Sequence, residues 1–190
     1  MEKLPNRKWE VLSSKYLIHE PWCTVRADHV RLPNGNEIKS YYVFEFYNWV
    51  NIIARTKDGL YVMVSQYRHG FGDTRYELVA GTCDHPDETP LKAAQRELWE
   101  ETGYGHGQWT LFMTMSPNTS SHNNLTYTFL AEDVELIDTQ HLEPSEDIQV
   151  HLLKESEVME LLVSGELIQA LMAAPLWKYF AQKGLCGPKP

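Results

Sequence analysis

The segment Arg96–Tyr104, which reads RELWEETGY, concentrates side chains that could bind a metal ion. On a helix, Glu97, Glu100 and Glu101 fall within an arc of about 100°, so their carboxylates project from one side. Three apolar residues form a separate stripe: Leu91, Ala94 and Leu98. Such a helix can pack on a core with its apolar stripe and present concentrated negative charge beside it.

Three carboxylates this close repel one another and lower the stability of the helix unless something positive intervenes. Oxygen-rich clusters of this kind suit Mg²⁺ or Mn²⁺, which keep several waters and share their coordination with substrate phosphates. The alternative for an isolated Glu-x-x-Glu-Glu segment is a solvated acidic helix face, because Glu is a common surface helix former. The order of the surrounding residues favours the metal site.

The residues around this helix complete a longer motif. Thr89 can cap the helix, Pro90 suits its first position and Gly103 suits its end, so the sequence predicts a helix over Thr89–Thr102. The run from Glu88 to Tyr104 resembles the Nudix box, whose pattern is Gly, five residues, Glu, seven residues, then Arg-Glu-apolar-X-Glu-Glu-X-Gly-apolar. Every specified position in this run matches.

Upstream of the helix the chain departs from the Nudix pattern. Six residues rather than five separate Gly81 from Glu88, and Asp87 stands where related sequences often have glycine. We interpret this departure as a one-residue insertion in the loop from Thr82 to Asp87, where extra length adds little closure entropy. We expect the helix and its chemistry to be unaffected.

The resemblance covers most of the chain and is closest to the ADP-ribose pyrophosphatase branch of the Nudix hydrolases. Four segments outside the core of the box carry it: Gln66–Arg68, Glu77–Gly81, Met115–Asn118 and Ser145–Val150. The resemblance implies an α/β fold, the Nudix α/β/α sandwich with a mixed sheet, preceded by a small N-terminal antiparallel β-sheet.

The same resemblance implies metal ligands for Mg²⁺, with Mn²⁺ as a substitute. The four metal-binding residues would be Ala80 through its carbonyl, Glu97, Glu101 and Glu146. Glu100 would be a catalytic residue, acting as a further ligand or as an orienting partner. Arg96 would hold the box carboxylates in place through a charge-assisted hydrogen bond.

Substrate contacts are implied by the resemblance for three residues. Arg68 is the best candidate for contacting the phosphates or the terminal sugar, and Glu77 and Pro117 are the other substrate-binding candidates. The arginine is needed because an acidic protein must neutralise a polyanionic substrate with metal ions or with a few local cations.

The general base has two candidates. The branch often has a glutamate two residues before the position of Glu146, where this chain has Pro144, and Glu143 is one residue away. His122 is the other candidate, since a near-neutral imidazole can accept a proton. The sequence leaves both open.

Alternating apolar residues and turn signals predict a strand-rich chain. A hairpin is expected over Trp22–Phe46 with its turn at 33–36, and a second over 49–68 with its turn at 57–59. The further strands expected are Arg75–Val79, Gln108–Met115, Leu125–Ala131 and Ile148–Leu153. The acidic, leucine-rich tail from Glu155 to Gln182 predicts helices broken near Gly165 and Pro175.

We expect residues 1–46 to form an N-terminal β-sheet region and residues 47–190 the Nudix hydrolase domain. A small sheet cannot bury both faces alone, so this region must pack on the rest or on another subunit. The resemblance implies that it supports a homodimer and binds the nucleobase. Sheet packing is the default role of its aromatic residues, with one or two stacking on adenine: Tyr41, Tyr42, Phe44, Phe46, Tyr47 and Trp49.

Composition narrows the function classes further. The 190 residues include 17 Lys and Arg against 26 Asp and Glu, giving a formal charge of −9, which argues against nucleic-acid and anionic-membrane partners. The cysteines, Cys23, Cys83 and Cys186, are far apart and no signal-like or membrane-length apolar run occurs. We therefore expect a cytoplasmic protein.

The expected function is hydrolysis of a nucleoside diphosphate linked to a sugar, with ADP-ribose cleaved to AMP and ribose 5-phosphate. Two alternatives stay open. One is a different Nudix substrate, such as a GDP-sugar, a dinucleoside polyphosphate or a coenzyme A derivative. The other is a catalytically weak module that binds ADP-ribose for regulation.

Overall fold

The computed structural model describes residues 3–84 and 89–185. The chain divides into two compact units, one formed by Met1–Tyr47 and Ser116–Asn124 and the other by Asn48–Met115 and Leu125–Pro190. Asp87, Glu88 and Cys186 lie outside the described residues, as does most of the loop in which the insertion is expected.

The N-terminal unit contains a three-stranded antiparallel sheet. Its strands are β1 (Glu10–Glu20), β2 (Cys23–Arg31) and β3 (Glu37–Glu45), in that spatial order. The predicted hairpin is confirmed, with Gly35 at its turn in the left-handed region (φ 89°). Strand β1 was not foreseen, because nearly all its residues are exposed and its sequence shows no alternation of apolar and polar residues.

The segment Ser116–Asn124 belongs to the same unit and makes a β-bridge to β3. The Phe44 amide donates to the Ser121 carbonyl (2.8 Å), and the Asn123 amide donates to the Phe44 carbonyl (3.3 Å). The His122 ring lies 5.2 Å from the ring of Phe46 and 5.7 Å from that of Phe44. These contacts place the segment that carries Pro117 and His122 alongside β3.

The second unit is built on a seven-stranded mixed sheet. Its strands are β4 (Trp49–Thr56), β5 (Tyr61–Arg68), β6 (Asp73–Thr82), β7 (Tyr104–Gly105), β8 (Gln108–Met115), β9 (Thr126–Leu136) and β10 (Ile148–Leu153). The spatial order is β10-β5-β6-β4-β9-β7, with β8 pairing on β9. The pairing of β4 with β9 is parallel and the other pairings are antiparallel.

The predicted strand bounds hold for β8 and β10, whereas β6 and β9 are longer than expected. The expected hairpin of β4 and β5 is correct only near its turn, where Ala54 pairs with Val62 and Arg55 with Tyr61. Beyond these pairs, β6 enters between the two strands and pairs with both. A strand from later in the chain therefore interrupts a pairing that local sequence alone would continue.

Helices cover both faces of this sheet, which confirms the expected α/β/α sandwich. They are α1 (Pro90–Thr102), α2 (Glu155–Ser164) and α3 (Ala170–Gln182). Ala94 and Leu98 of α1 pack on one face, in a core with Val50, Val64 and Val79. On the other face, residues of α2 and α3 share a second core with residues of β4, β5 and β6, including Val158, Leu176, Phe180, Ile53, Met63 and Leu78.

Two local signals fix the ends of α1 as predicted. The Thr89 hydroxyl accepts from the Lys92 amide (3.3 Å), and Pro90 occupies the first turn, where its missing N–H has no consequence. Gly103 ends the helix with φ 75°, and its amide donates to the Trp99 carbonyl (2.8 Å). The start and end of the acidic helix are thus determined locally.

The expected break at Pro175 is wrong, because Pro175 lies buried inside α3. A proline there cannot donate to the carbonyl four residues earlier, that of Leu171. The Asn51 side-chain amide donates to this carbonyl instead (2.7 Å). A residue from the sheet thus replaces the missing helical hydrogen bond. Within the described residues, no helix has the length and apolar character needed to cross a membrane.

Candidate active site

The acidic face of α1 lies against the end of β6. The Glu97 carboxylate accepts from the Thr82 amide (3.2 Å) and contacts the backbone at Gly81 so closely that any side chain there would overlap it. Any larger residue at position 81 would therefore have to displace the Glu97 carboxylate from its place against β6.

Arg96 organises the carboxylates around it. One guanidinium nitrogen, Nη1, lies 2.9 Å from oxygens of both Glu97 and Glu100, and Nη2 donates to the Thr82 carbonyl (2.9 Å). The guanidinium fork can bind several acceptors at once, which a lysine ammonium cannot do with the same geometry. Arg96 thus fixes two helix carboxylates relative to β6.

Glu101 is the most deeply buried carboxylate of the helix, with 3% of the residue exposed. It accepts a hydrogen bond from the Ala80 amide, but its Oε2 is buried and has no hydrogen-bond partner among the described residues. Burial is the main cause that raises the pKa of this carboxyl well above its ordinary value, and the negative charges of Glu97 and Glu146 raise it further.

Burial also raises the pKa of Glu97, to about 7, although the neighbouring Arg96 charge opposes the shift. Two adjacent buried carboxylates with raised pKa values mean that the negative charge at this point is not fully compensated by protein groups. A buried carboxylate oxygen without a protein partner can be satisfied by a proton, a water molecule or a cation.

This donor set fits a hard divalent cation. Carboxylate oxygens are the ligands that Mg²⁺ and Mn²⁺ prefer, and the orphaned Oε2 of Glu101 is available to one. Among residues 3–84 and 89–185, no three His, Cys, Asp or Glu side chains converge tightly enough to make a coordination sphere alone. Water and substrate oxygens would complete the sphere, as is usual for Mg²⁺.

Glu146 lies near enough to raise the pKa of Glu101 by charge repulsion. Its carboxylate accepts from the Glu143 amide (2.9 Å), and its own amide donates to the Glu143 carbonyl (2.9 Å). The two acids therefore share one tight turn. Glu146 is half-buried and Glu143 is exposed, so only Glu143 has its side chain largely in solvent.

Arg68 and Glu77 form a two-bond ion pair on β5 and β6. Nε of Arg68 donates to Oε1 of Glu77 (2.8 Å) and Nη2 to Oε2 (2.5 Å), while Gln66 lies 3.5 Å from the same carboxylate. Glu77 is 3% exposed, whereas the Arg68 side chain is 46% exposed. The Glu77 carboxylate raises the pKa of Arg68, so this arginine stays charged. Its exposed fraction leaves it within reach of a ligand in solvent.

A cavity of about 530 Å³ opens beside this pair. It reaches Ala80 and Gly81, next to the carboxylates of α1, and its wall includes Phe71, Arg75 and Tyr76. Its volume is in the range of small-ligand sites. A ligand there would meet arginine, aromatic surface and the backbone of β6 together.

The remaining site candidates lie in the N-terminal unit. Pro117 is half-buried in the segment Ser116–Asn124, and His122 lies beside the rings of Phe44 and Phe46. Their proposed roles in substrate contact and proton transfer stay predictions.

Sequence reasoning missed the part played by Thr82, whose amide and carbonyl bind Glu97 and Arg96. No side-chain signal could reveal it, because the contacts come from the backbone. It also missed Phe71 and Arg75 in the cavity wall. Their signal was available, since they lie between the two matching segments Gln66–Arg68 and Glu77–Gly81.

Two family profiles match this chain. Residues 47–172 match the NUDIX domain, and residues 9–44 match the nucleoside diphosphate sugar hydrolase N-terminal domain. The chain therefore belongs to the Nudix family and is a Nudix hydrolase, which confirms the resemblance stated from the sequence.

Named relatives agree with this assignment. An ADP-ribose pyrophosphatase of Mycobacterium tuberculosis (strain ATCC 25618 / H37Rv) is 28% identical over 184 residues, covering 96% of this chain and 88% of the relative. An ADP-ribose pyrophosphatase of Bacillus subtilis (strain 168) is 29% identical over 148 residues, covering 77% and 79%. A crystal structure described as an ADP compounds hydrolase superposes with a TM-score of 0.77 at 20% identity, covering 97% of this chain and 100% of the other, and supports the fold.

Proposed function

We propose that this Nudix hydrolase is a divalent-metal-dependent pyrophosphohydrolase whose preferred substrate is ADP-ribose, cleaved to AMP and ribose 5-phosphate. The observation that carries the proposal is the buried, incompletely paired carboxylate of Glu101 beside Glu97. Both acids lie against the end of β6, where Ala80 and Gly81 line a cavity together with Arg68. The names of the two curated relatives support ADP-ribose as the substrate.

Glu97, Glu101, Glu146 and the carbonyl of Ala80 would hold the metal, Mg²⁺ first and Mn²⁺ as a substitute. When bound, the metal supplies charge neutralisation for the diphosphate and a lower pKa for the attacking water. Arg96 positions the Glu97 carboxylate through a hydrogen bond, and the Glu100 carboxylate in turn holds Arg96. The two ligands on α1, Glu97 and Glu101, are thus fixed on a helix before substrate arrives.

The reaction consumes one water. Its oxygen forms a bond to one phosphorus while the bond from that phosphorus to the bridging oxygen breaks. The bridging oxygen leaves with the other phosphate, and one proton of the water passes to a general base. We assign this base to Glu143, which is exposed and turns with Glu146 at the edge of the acidic site. His122 is the second candidate. Arg68, oriented by Glu77, would contact the substrate phosphates or sugar. Pro117 is a separate substrate-binding candidate.

The same proposal includes a homodimer formed through the N-terminal unit. This unit would also bind the nucleobase of the substrate. Its sheet exposes large apolar side chains that a partner subunit could cover: Val11, Tyr16, Leu17, Ile18, Trp22 and Tyr42. Light scattering on the purified protein tests this part, and a monomer at micromolar concentration would refute it. A cytoplasmic location is also part of the proposal, because the exposed Cys23 is a free thiol.

Substrate choice is tested by measuring hydrolysis of ADP-ribose, GDP-mannose, a dinucleoside polyphosphate and coenzyme A with Mg²⁺, Mn²⁺ or EDTA. We expect ADP-ribose to have the highest kcat/KM and EDTA to abolish turnover. Faster cleavage of GDP-mannose than of ADP-ribose would refute ADP-ribose as the preferred substrate. Tight ADP-ribose binding by calorimetry without turnover would instead favour the regulatory module.

A further inference from the structure

The last turn of α1 is held by the chain that follows β9. Helices end with carbonyl groups that have no partner within the helix, and these need donors from elsewhere. Here the His141 amide donates to the Glu100 carbonyl (2.8 Å), and the Gly103 carbonyl accepts from the amides of Ile137 (2.9 Å) and Asp138 (3.1 Å). The segment 137–141 thus caps the end of the acidic helix.

Gln140 adds a bridge from the same segment. Its side-chain Nε2 donates to the Glu101 carbonyl (2.8 Å) and also to the Ile148 carbonyl (3.1 Å) at the start of β10. The two bonds bring the ends of residues 141–147 together at the helix terminus. The turn that carries Glu143 and Glu146 therefore lies in a short loop whose two ends are held together next to Glu101.

Three side chains fix the segment 137–141, where this loop begins, against α1. The Trp99 and His141 rings stack with centroids 4.2 Å apart and planes 24° from parallel. His141 Nε2 lies 3.0 Å from the Asp138 carboxylate, which also accepts a hydrogen bond from the Trp99 side chain. An aromatic stack closed by a shared carboxylate has a defined geometry, so it restricts how the loop can move relative to α1.

We propose that Gln140 and the Trp99–Asp138–His141 cluster are positioning residues, which hold the Glu143–Glu146 turn at the metal-binding carboxylates of α1. The inference rests on the proposed function for its kinetic consequence. The Nudix box leaves the residue at Trp99 unspecified, and the roles taken from the family resemblance do not include it. Its ring makes no bond to the acidic site and acts through His141 and Asp138.

The first arm of the test measures amide hydrogen exchange by NMR in the metal-free protein. Gln140→Leu removes both bridging bonds and Trp99→Ala removes the stack. We expect the Glu143 and Glu146 amides to exchange about ten-fold faster in each variant, while amides in the core strands are unchanged. Trp99→Phe keeps a ring and should restore most of the protection. Thr139→Ser, at an exposed neighbouring position, is the matched control.

The second arm measures steady-state kinetics with Mg²⁺ and the best substrate. Misplacing a reacting group by a fraction of an ångström lowers the rate more than binding, so kcat should fall about ten- to hundred-fold in Gln140→Leu and Trp99→Ala. KM should stay within about three-fold. Trp99→Phe should recover most of kcat, and Thr139→Ser should match the wild type.

The two arms separate the possible failures. Unchanged exchange at Glu143 and Glu146 in both variants overturns the positioning role whatever the activity. Faster exchange with an unchanged kcat also overturns it, because the loop would then be free to move without consequence. Absence of wild-type turnover on every substrate refutes the proposed function alone, and exchange then decides whether the cluster holds the turn.

Discussion

The carboxylate of Glu97 fills the space beside Gly81 that a side chain at residue 81 would need. The residue that begins the box pattern and the acid on its helix are therefore one packing unit, although fifteen positions lie between them. Because the Thr82 amide also donates to this carboxylate, the approach of β6 to α1 sets where Glu97 can present its oxygens.

Replacing Gly81 by alanine should displace the Glu97 carboxylate. We expect Gly81→Ala to bind Mg²⁺ at least ten-fold more weakly, in line with the effect of disturbing groups that orient metal ligands. Calorimetric titration with Mg²⁺ measures this. Gly70→Ala is the matched control, since a Cβ at residue 70 meets nothing within 4 Å. Equal affinities in the two variants would show that the close approach does not govern the site.

Glu101→Gln keeps the size of the side chain and removes its charge. Activity should fall by orders of magnitude, because a metal ligand is lost, whereas the metal-free fold should be as stable as the wild type or more so. Burial of the charge is unfavourable, as the raised pKa shows. Steady-state kinetics and thermal unfolding with and without Mg²⁺ test both parts. Glu160→Gln, on an exposed residue of α2, should change neither.

The raised pKa of Glu97 predicts how the stability of the metal-free protein depends on pH. With a folded-state pKa of about 7 against an ordinary value of 4.5, the folded state binds more protons than the unfolded state between these two values. The free energy of unfolding should therefore fall as pH rises from about 4.5 to 7. Urea unfolding in EDTA at several pH values measures this slope. The slope should be smaller in Glu97→Gln, and identical slopes would contradict the assignment.

The ion pair of Arg68 with Glu77 should matter for stability as well as for substrate. Arg68→Ala leaves a nearly fully buried carboxylate without its main partner, at an expected loss of about 3 kcal/mol in the free energy of unfolding. Urea denaturation measures it. The double variant Arg68→Ala with Glu77→Leu should recover much of that loss while remaining poorly active. An Arg68→Ala variant as stable as the wild type would mean that Arg68 contributes to substrate binding and not to stability.

Asn51 and Pro175 should be coupled. Asn51→Ala leaves the Leu171 carbonyl without a donor and should lower the free energy of unfolding by about 1 to 3 kcal/mol. In Pro175→Ala the helix regains its own N–H donor for that carbonyl, so the same Asn51 substitution should be less destabilising there. A double-mutant cycle on unfolding free energies measures the coupling, and strict additivity would contradict it.

Elements defined by local signals could be predicted well from the sequence. The helix α1 begins after Thr89 and ends before Gly103 because capping residues act on their own neighbours. The strands β8 and β10 follow from short apolar patterns between turns. By contrast, β1 has almost no buried residues, and local pattern could not reveal that pairing with β2 would order it.

The candidate site divides in the same way. The helical repeat alone placed Glu97, Glu100 and Glu101 on one side of α1, since their spacing is a property of the helix. It could not show that Glu101 would be buried and Glu100 partly exposed, because that depends on which strand packs against each carboxylate.

The sequence by itself therefore determined the acidic helix, its caps, the strand-rich character of the chain and the family to which it belongs, because these depend on residues close together along the chain. Only the tertiary structure decided that Arg68 binds Glu77, that Asn51 supplies the bond lost at Pro175 and that Gln140 ties a later loop to the end of α1. Each of these contacts joins residues whose proximity results from sheet order and packing, which no local pattern encodes.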